Sequence, residues 1–212
     1  MSRFRGLVGL NSMSLRLLRA GATAFGVIVS VGCAVGVSPD PLRLPVGSAL
    51  PPAHRIVGVP FVPGDPGACG PAALASVLGY WGDPVTVSDI ANAVSAPSLA
   101  GVLPMDLARF AATRASGLAV RAEAGTLAWL RARVADDHPV IAFLDLGFGP
   151  VRQGHFVVVV GYDDADERVL LYSGRDAGAT MSYRRFASSW GRGGWWALAP
   201  TERRDSAVAP GS

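Results

Sequence analysis

Apolar residues in this chain fall first into helical patterns and later into strand patterns. Nearly every position from Pro71 to Trp81 is apolar or small, which predicts a helix buried on most of its surface. Pro71 suits the first turn of that helix because it has no N–H to leave unpaired. Three amphipathic segments predict further helices at 88–94, 105–116 and 127–134.

The second half of the chain predicts strands. The longest begins at His155 and runs through four consecutive valines to Tyr162, which is typical of a strand buried on both faces. Shorter apolar runs predict strands at 140–146, 168–172, near 179–181 and 195–199. Because the helices come first and the strands second, the pattern indicates an α+β fold.

The N-terminal region predicts export. In residues 1–37, four arginines precede an apolar stretch at 20–31, as in a signal peptide. Cys33 follows Gly32 at the position where a bacterial lipoprotein carries its acylated cysteine, although Ser30 stands where such signals usually have leucine. Lipidation of Cys33 is therefore the expectation. An uncleaved membrane anchor and ordinary signal cleavage are the alternatives, although the apolar run is shorter than the ~20 residues of a spanning helix.

The 212 residues suffice for one domain with tails. Five prolines in residues 38–54 predict an extended spacer, residues 55–200 the domain, and residues 201–212 a disordered tail. The expected location is periplasmic, free or held at the membrane as a lipoprotein.

Composition excludes some functions. The net charge is +3, but the arginines are scattered or grouped at the two ends, without the aromatic-interleaved basic stripe that tracks nucleic acid. Neither His54, in the spacer, nor His138, in a polar turn, has cysteine or histidine neighbours at a zinc-site spacing. No nucleic-acid partner, metal or cofactor is predicted.

Candidate chemistry centres on Cys69, where a loop turns into the first helix. The unpaired N–H groups and positive dipole end of a helix N-terminus favour the nucleophilic thiolate. His155 begins a strand 86 positions later and is the candidate general base. The alternatives are a small buried core cysteine and a histidine that only hydrogen-bonds a neighbour.

Three segments together resemble a known family: Cys-Gly-Pro-Ala-Ala-Leu from Cys69, His-Phe-Val-Val-Val-Val-Gly-Tyr-Asp from His155, and Leu-Tyr-Ser-Gly from Leu171. The family is that of the double-glycine leader (bacteriocin-processing) peptidases, which are papain-like cysteine peptidases, and the closing segment at 181–198 resembles a stand-alone bacterial branch. The resemblance covers roughly residues 55–200. It implies a papain-like fold, with a central helix carrying Cys69 packed on an antiparallel sheet carrying His155, and a peptide or protein substrate.

The residue that orients the catalytic histidine, which is the third member of the family's catalytic triad, departs from the family pattern. Papain-like enzymes orient the imidazole with Asp or Asn on the next strand. Matching 169–172 to that strand puts Ser173 at the orienting position. Asp176 is the second candidate, because the preceding hairpin would set residues near 174–176 opposite His155.

The oxyanion loop also departs from the pattern. The family usually has a glutamine five or six residues before the cysteine, where this chain has Gly64 and Pro63. Proline has no N–H to donate. The predicted donors are therefore the N–H of Cys69 and, if the loop curls inward, that of Gly64.

Three functions follow from these residues. The first is an exported cysteine peptidase that uses the Cys69 thiolate, with His155 as the base. The second is a peptide-binding module that keeps the cleft but has lost the chemistry with the glutamine. The third is a cell-wall peptide amidase, which suits the compartment.

Overall fold

The computed structural model describes residues 50–65, 67–94, 101–114 and 118–202. Within these residues the chain forms five helices and seven strands. The helices are α1 (Cys69–Tyr80), α2 (Val87–Val94), α3 (Pro104–Arg114), α4 (Leu127–Ala135) and α5 (Tyr183–Arg192). The strands are β1 (Ala53–Arg55), β2 (Leu118–Ala124), β3 (Val140–Asp145), β4 (Gly154–Asp163), β5 (Arg168–Ser173), β6 (Asp176–Ser182) and β7 (Trp196–Glu202).

The strands form one antiparallel sheet with the order β2-β7-β3-β4-β5-β6, and β1 also pairs with β4. Strand β4 is central: β3 pairs along its first half, β1 continues on that edge, and β5 pairs on the other edge. Gly161 lets β1 approach, because a Cβ there would lie 2.8 Å from the carbonyl oxygen of His54. The predicted α+β fold is confirmed.

Helix α1 packs directly on β4. Every residue from Gly70 to Leu78 is buried, and Leu74, Val77 and Leu78 are completely so. A Cβ on Gly70 would lie 3.0 Å from Leu107 and 3.1 Å from Phe156, so α1 is held tightly between α3 and β4. Each fully buried leucine contributes ~1.5–3 kcal/mol of hydrophobic stabilisation. This packing fixes the N-terminus of α1 relative to the start of β4.

The structure differs from the sequence prediction at three elements. Strands β1 and β2 and helix α5 were not predicted. Strand β1 lies where the spacer was expected to end. Just before it, the carbonyl of Pro51 accepts a hydrogen bond from Tyr162 Oη, and the carbonyl of Pro52 accepts one from the N–H of Asp164. The chain therefore contacts the sheet before residue 55. At the other end, β7 continues through residues 201 and 202, which the prediction assigned to the tail.

Helix α5 contributes buried aromatic side chains to the hydrophobic core. Ser182 caps it by accepting a hydrogen bond from the N–H of Arg185. Phe186 and Trp190, four residues apart, are completely buried. The Trp190 Nε1–H donates to the carbonyl of Trp196 at 2.7 Å. Trp190 is therefore part of the hydrophobic core.

A polar network lies at the opposite end of β4 from its first residues. Arg131 is almost fully buried, donates to the Asp164 carboxylate and stacks on the Tyr162 ring, 4.9 Å from its centroid. The Tyr183 hydroxyl donates to Asp164 at 2.7 Å. Burial, followed by the neighbouring carboxylate, raises the pKa of Tyr183. Asp164 therefore holds a buried cation in place.

The predicted signal segment, Cys33 and most of the spacer lie outside the described residues. In the part of the chain that the structure describes, no helix has the length and hydropathy needed to cross a bilayer.

Candidate active site

Cys69 is the first residue of α1, and its side chain is partly exposed and free of any disulfide among the described residues. The preceding Ala68 makes no side-chain capping bond, and the first turn contains no acidic residue. The positive end of the helix dipole is therefore not offset by a capping oxygen or carboxylate of its own helix. The sulfur therefore lies at the positive end of α1.

His155 is the second residue of β4 and is half-buried, opposite Leu144 of β3. Its Nε2 is 2.8 Å from the Ser173 hydroxyl, which leaves Nδ1 as the nitrogen for a second partner. Burial lowers the pKa of His155 below its usual 6.5, so the imidazole is neutral at neutral pH. Cys69 and His155 line the same open cleft of about 420 Å³.

The sheet register selects between the two candidate orienting residues. Ser173, the last residue of β5, is paired with Val157 and is thus a diagonal neighbour of His155. Asp176 begins β6 and is exposed, and its carboxylate accepts a hydrogen bond from the N–H of Gly178 at 2.7 Å. The structure brings Ser173, and not Asp176, to His155, so a neutral hydroxyl stands behind the imidazole.

Gly64 does not have the role expected of it. Its N–H donates to the carbonyl of Gly174 at 2.9 Å and is therefore unavailable to an oxyanion in the cleft. A Cβ at Gly64 would lie 2.8 Å from the Cβ of Ala72 and 3.2 Å from the Cα of Cys69. Glycine is needed here for the close approach of the loop to α1, and the expectation of a Gly64 donor is wrong.

Two contacts join the loop before Cys69 to the turn after Ser173. The first is the Gly64–Gly174 hydrogen bond. The second is an ion pair in which Nε and Nη2 of Arg175 both donate to Oδ1 of Asp65, with an Nε–O distance of 2.9 Å. All four residues line the cleft. The pair joins positions 110 apart in the sequence, and no sequence pattern indicated it.

Asp145 organises the loop that leads into β4. Its carboxylate accepts hydrogen bonds from the N–H groups of Gly147 and Gln153 and from Arg152. These bonds, with that from the Gln153 N–H having the largest effect on the carboxylate's pKa, lower the pKa of Asp145 to about 2. The carboxylate thus anchors the loop two residues before His155. The sequence carried no signal for this role.

The other polar groups considered in the sequence lie away from the cleft. His54 pairs with Asp137 at 2.8 Å, and the ring of His138 packs on Trp81. Within the described ranges, no group of three or more His, Cys, Asp or Glu side chains could hold a metal ion.

Solved structures share this fold at low sequence identity. A C39-like peptidase from Bacillus anthracis has a TM-score of 0.60 and 20% identity, with 71% of this chain and 98% of that chain covered. Xylellain, a cysteine protease from Xylella fastidiosa, has a TM-score of 0.53 and 15% identity, with 74% and 88% covered. A double-glycine-motif protease from an AMS/PCAT transporter, solved with its leader peptide, has a TM-score of 0.50 and 19% identity, with 70% and 95% covered. These likenesses confirm the papain-like fold.

A comparison with curated protein sequences gave no significant match. A family model, in contrast, matches residues 56–194, well over half of the chain, and this span includes Cys69, His155 and Ser173. The fold, the order of the cysteine and histidine motifs and this match agree with the resemblance found in the sequence. The chain therefore belongs to the Peptidase_C39 like family of papain-like cysteine peptidases.

Proposed function

We propose that this protein is an active cysteine peptidase in which Cys69 is the nucleophile, His155 the general base and Ser173 the residue that orients His155. The observation that carries the proposal is the cleft that Cys69 and His155 line together, with Nε2 of His155 held 2.8 Å from the Ser173 hydroxyl. A nucleophile, a base within one cleft and a third group that fixes the base form the usual arrangement for covalent catalysis.

In this mechanism, Nδ1 of His155 removes the thiol proton, and the sulfur attacks the carbonyl carbon of the scissile peptide. The imidazolium then donates its proton to the leaving amine, and water hydrolyses the thioester. Because burial lowers the pKa of His155, the imidazolium gives up its proton readily to the leaving group. The Ser173 hydroxyl accepts the Nε2–H and holds the ring plane in place.

The proposed substrate is an extended peptide segment. Four glycines line the cleft beside Cys69 and His155: Gly64, Gly67, Gly154 and Gly174. Walls made of backbone leave room for a polypeptide, and substrates with small residues at the scissile bond fit them best. The leader peptide bound to one of the similar structures supports a double-glycine leader as the first substrate class to test.

A peptide-binding module without turnover is the second candidate. It is favoured by the oxyanion loop, where Pro63 has no N–H and the N–H of Gly64 is occupied by Gly174. Loss of one oxyanion donor typically slows such chemistry on the order of a hundred- to a thousand-fold.

Alkylation and peptide cleavage together separate these candidates. The purified full chain is treated with iodoacetamide at about pH 6, where an unactivated thiol reacts slowly, and is incubated with a double-glycine leader peptide. An active peptidase alkylates rapidly at Cys69 and cleaves the peptide. Cys69→Ala abolishes both reactions, His155→Ala slows both, and the matched control Asp176→Asn changes neither. Capture of the peptide without cleavage, with alkylation at the rate of a free thiol, would establish the binding module.

We further propose that the protein is exported and lipidated at Cys33. The support is the arginine-rich, apolar N-terminal segment ending in Gly32-Cys33. Metabolic labelling with palmitate followed by membrane fractionation tests this. Label and membrane association should both be lost in Cys33→Ser, while unlabelled protein in the cytosol would contradict the proposal.

A further inference from the structure

The proposed peptidase reaction requires donors for the oxyanion, and the described structure shows which are missing. When the sulfur attacks, the carbonyl oxygen takes on the negative charge and needs at least one fixed donor besides the N–H of Cys69. Pro63 has no N–H, and the N–H of Gly64 is bonded to Gly174. A donor has to come from another group that lines the cleft.

Arg175 lies close to the loop that lacks an oxyanion donor. It follows Gly174, whose carbonyl accepts the N–H of Gly64, and a Cβ at Gly64 would lie only 3.2 Å from the Cα of Cys69. Arg175 lines the same cleft as Cys69 and His155. Its backbone is thus placed beside the segment that carries the glutamine in related peptidases.

The Arg175 guanidinium has more N–H donors than its ion pair with Asp65 uses. An arginine side chain has five N–H donors, and the structure gives contacts for those on Nε and Nη2 toward Asp65. The pair with Asp65 holds the guanidinium through Nε and Nη2, and the side chain lines the open cleft and is 76% exposed. A peptide covering the cleft would exclude water and strengthen a charge-assisted hydrogen bond from this group.

Gln153 is the alternative donor, and the structure favours it less. It also lines the cleft, but it belongs to the loop that precedes His155 and not to the segments of Gly64 and Gly174. Its amide is neutral, whereas the guanidinium carries a full charge, and hydrogen bonds from charged donors are roughly twice as strong.

Resting on the proposed peptidase function, we propose that Arg175, anchored by Asp65, donates to the oxyanion formed at the scissile carbonyl. A sulfur electron pair forms the S–C bond, and the carbonyl π electrons move onto the oxygen, which Arg175 and the N–H of Cys69 stabilise. Arg175 keeps its protons throughout. When the intermediate collapses, the C–N bond breaks and His155 supplies the proton to the amine.

Two reactions of Cys69 separate oxyanion stabilisation from positioning. Alkylation by iodoacetamide is a displacement at carbon that forms no oxyanion, whereas acylation by benzyloxycarbonyl-glycine p-nitrophenyl ester forms one. In Arg175→Ala, the acylation rate, followed as nitrophenol release, should fall on the order of a hundred- to a thousand-fold. Alkylation should stay within about twofold of the wild type, because the helix N-terminus and His155 are untouched. Since exposed ion pairs contribute little to folding stability, the variant should fold.

Arg175→Lys should recover part of the acylation rate, and Gln153→Ala should lower that rate far less than Arg175→Ala does. The inference is overturned if Arg175→Ala acylates normally, if it loses alkylation to the same extent as acylation, or if Gln153→Ala causes the larger loss. A wild-type protein that reacts with neither reagent faster than a free thiol would instead refute the proposed peptidase function.

Discussion

Replacing Ser173 by aspartate tests how the group beside His155 sets the pKa of its imidazole. The native Ser173 hydroxyl is neutral and therefore gives the imidazolium no counter-charge. In the native protein, Nε2 of His155 lies 2.8 Å from the Ser173 hydroxyl, and burial lowers the pKa of the imidazole. A carboxylate at this position would stabilise the protonated ring and act against the effect of burial. We therefore expect Ser173→Asp to raise the pKa of His155.

The size of the effect follows from the spacing. Two opposite unit charges about 4 Å apart attract by roughly 4 kcal/mol at an effective dielectric constant of about 20. Desolvation of the new carboxylate, beside a half-buried ring, offsets part of this attraction. The expected net rise is about 1–3 pKa units, as for other carboxylate–cation pairs at this distance.

The pKa of His155 is measured by NMR titration of its imidazole Cε1–H in a Cys69→Ala background, where no thiol titrates beside it. Ser173→Asn is the matched comparison, because it offers a hydrogen-bonding side chain of similar size without the charge. We expect Ser173→Asp to titrate at higher pH than both the parent and Ser173→Asn. An aspartate variant that titrates with the parent, or below it, would refute the contact between residues 155 and 173 as drawn.

Three further changes test the frame around the site. Asp164→Ala should destabilise the fold by about 3–5 kcal/mol in urea unfolding, because buried Arg131 loses its carboxylate; a loss typical of an exposed pair would contradict this. Trp190→Ala should cost ~3–5 kcal/mol through the cavity it leaves, measured by thermal melting followed by circular dichroism; an unchanged melting temperature would contradict its place in the core. Asp145 has a native pKa of about 2, below that of an unfolded aspartate. Its ionised carboxylate therefore contributes fully to folding stability above about pH 4, and this contribution is lost as pH falls toward 2. Asp145→Asn should flatten that part of the pH dependence of the urea midpoint, and an unchanged slope would contradict the anchoring role.

Elements with long, uniform patterns could be predicted from the sequence. Helix α1 and strand β4 are continuous apolar stretches, and their burial leaves little choice of structure. Strand β1 has three residues without apolar alternation and exists only because β4 offers an edge. Helix α5 has a serine cap and apolar positions at helical spacing, so a signal was present in the sequence there.

The candidate site likewise has features that could be predicted from the sequence and features that could not. The order of Cys69 and His155 was visible in the sequence, and the family resemblance put Ser173 at the orienting position. The hairpin geometry, in contrast, pointed to residues near 174–176 and left Asp176 as a candidate, which the actual pairing of Ser173 with Val157 does not support. The N–H of Gly64 was assigned to the cleft, but it bonds to Gly174, a contact between distant segments. The Asp65–Arg175 pair is likewise a product of tertiary packing, and sequence spacing does not encode it.

In the proposed function, Cys69 and His155 work together as an acyl-transfer site. Intact-mass spectrometry of the full chain, quenched in acid seconds after mixing with benzyloxycarbonyl-glycine p-nitrophenyl ester, tests it most directly. We expect an added acyl group that maps to Cys69, is absent in Cys69→Ala and forms far more slowly in His155→Ala. No adduct on the wild type, or one that forms at the same rate without His155, would contradict it.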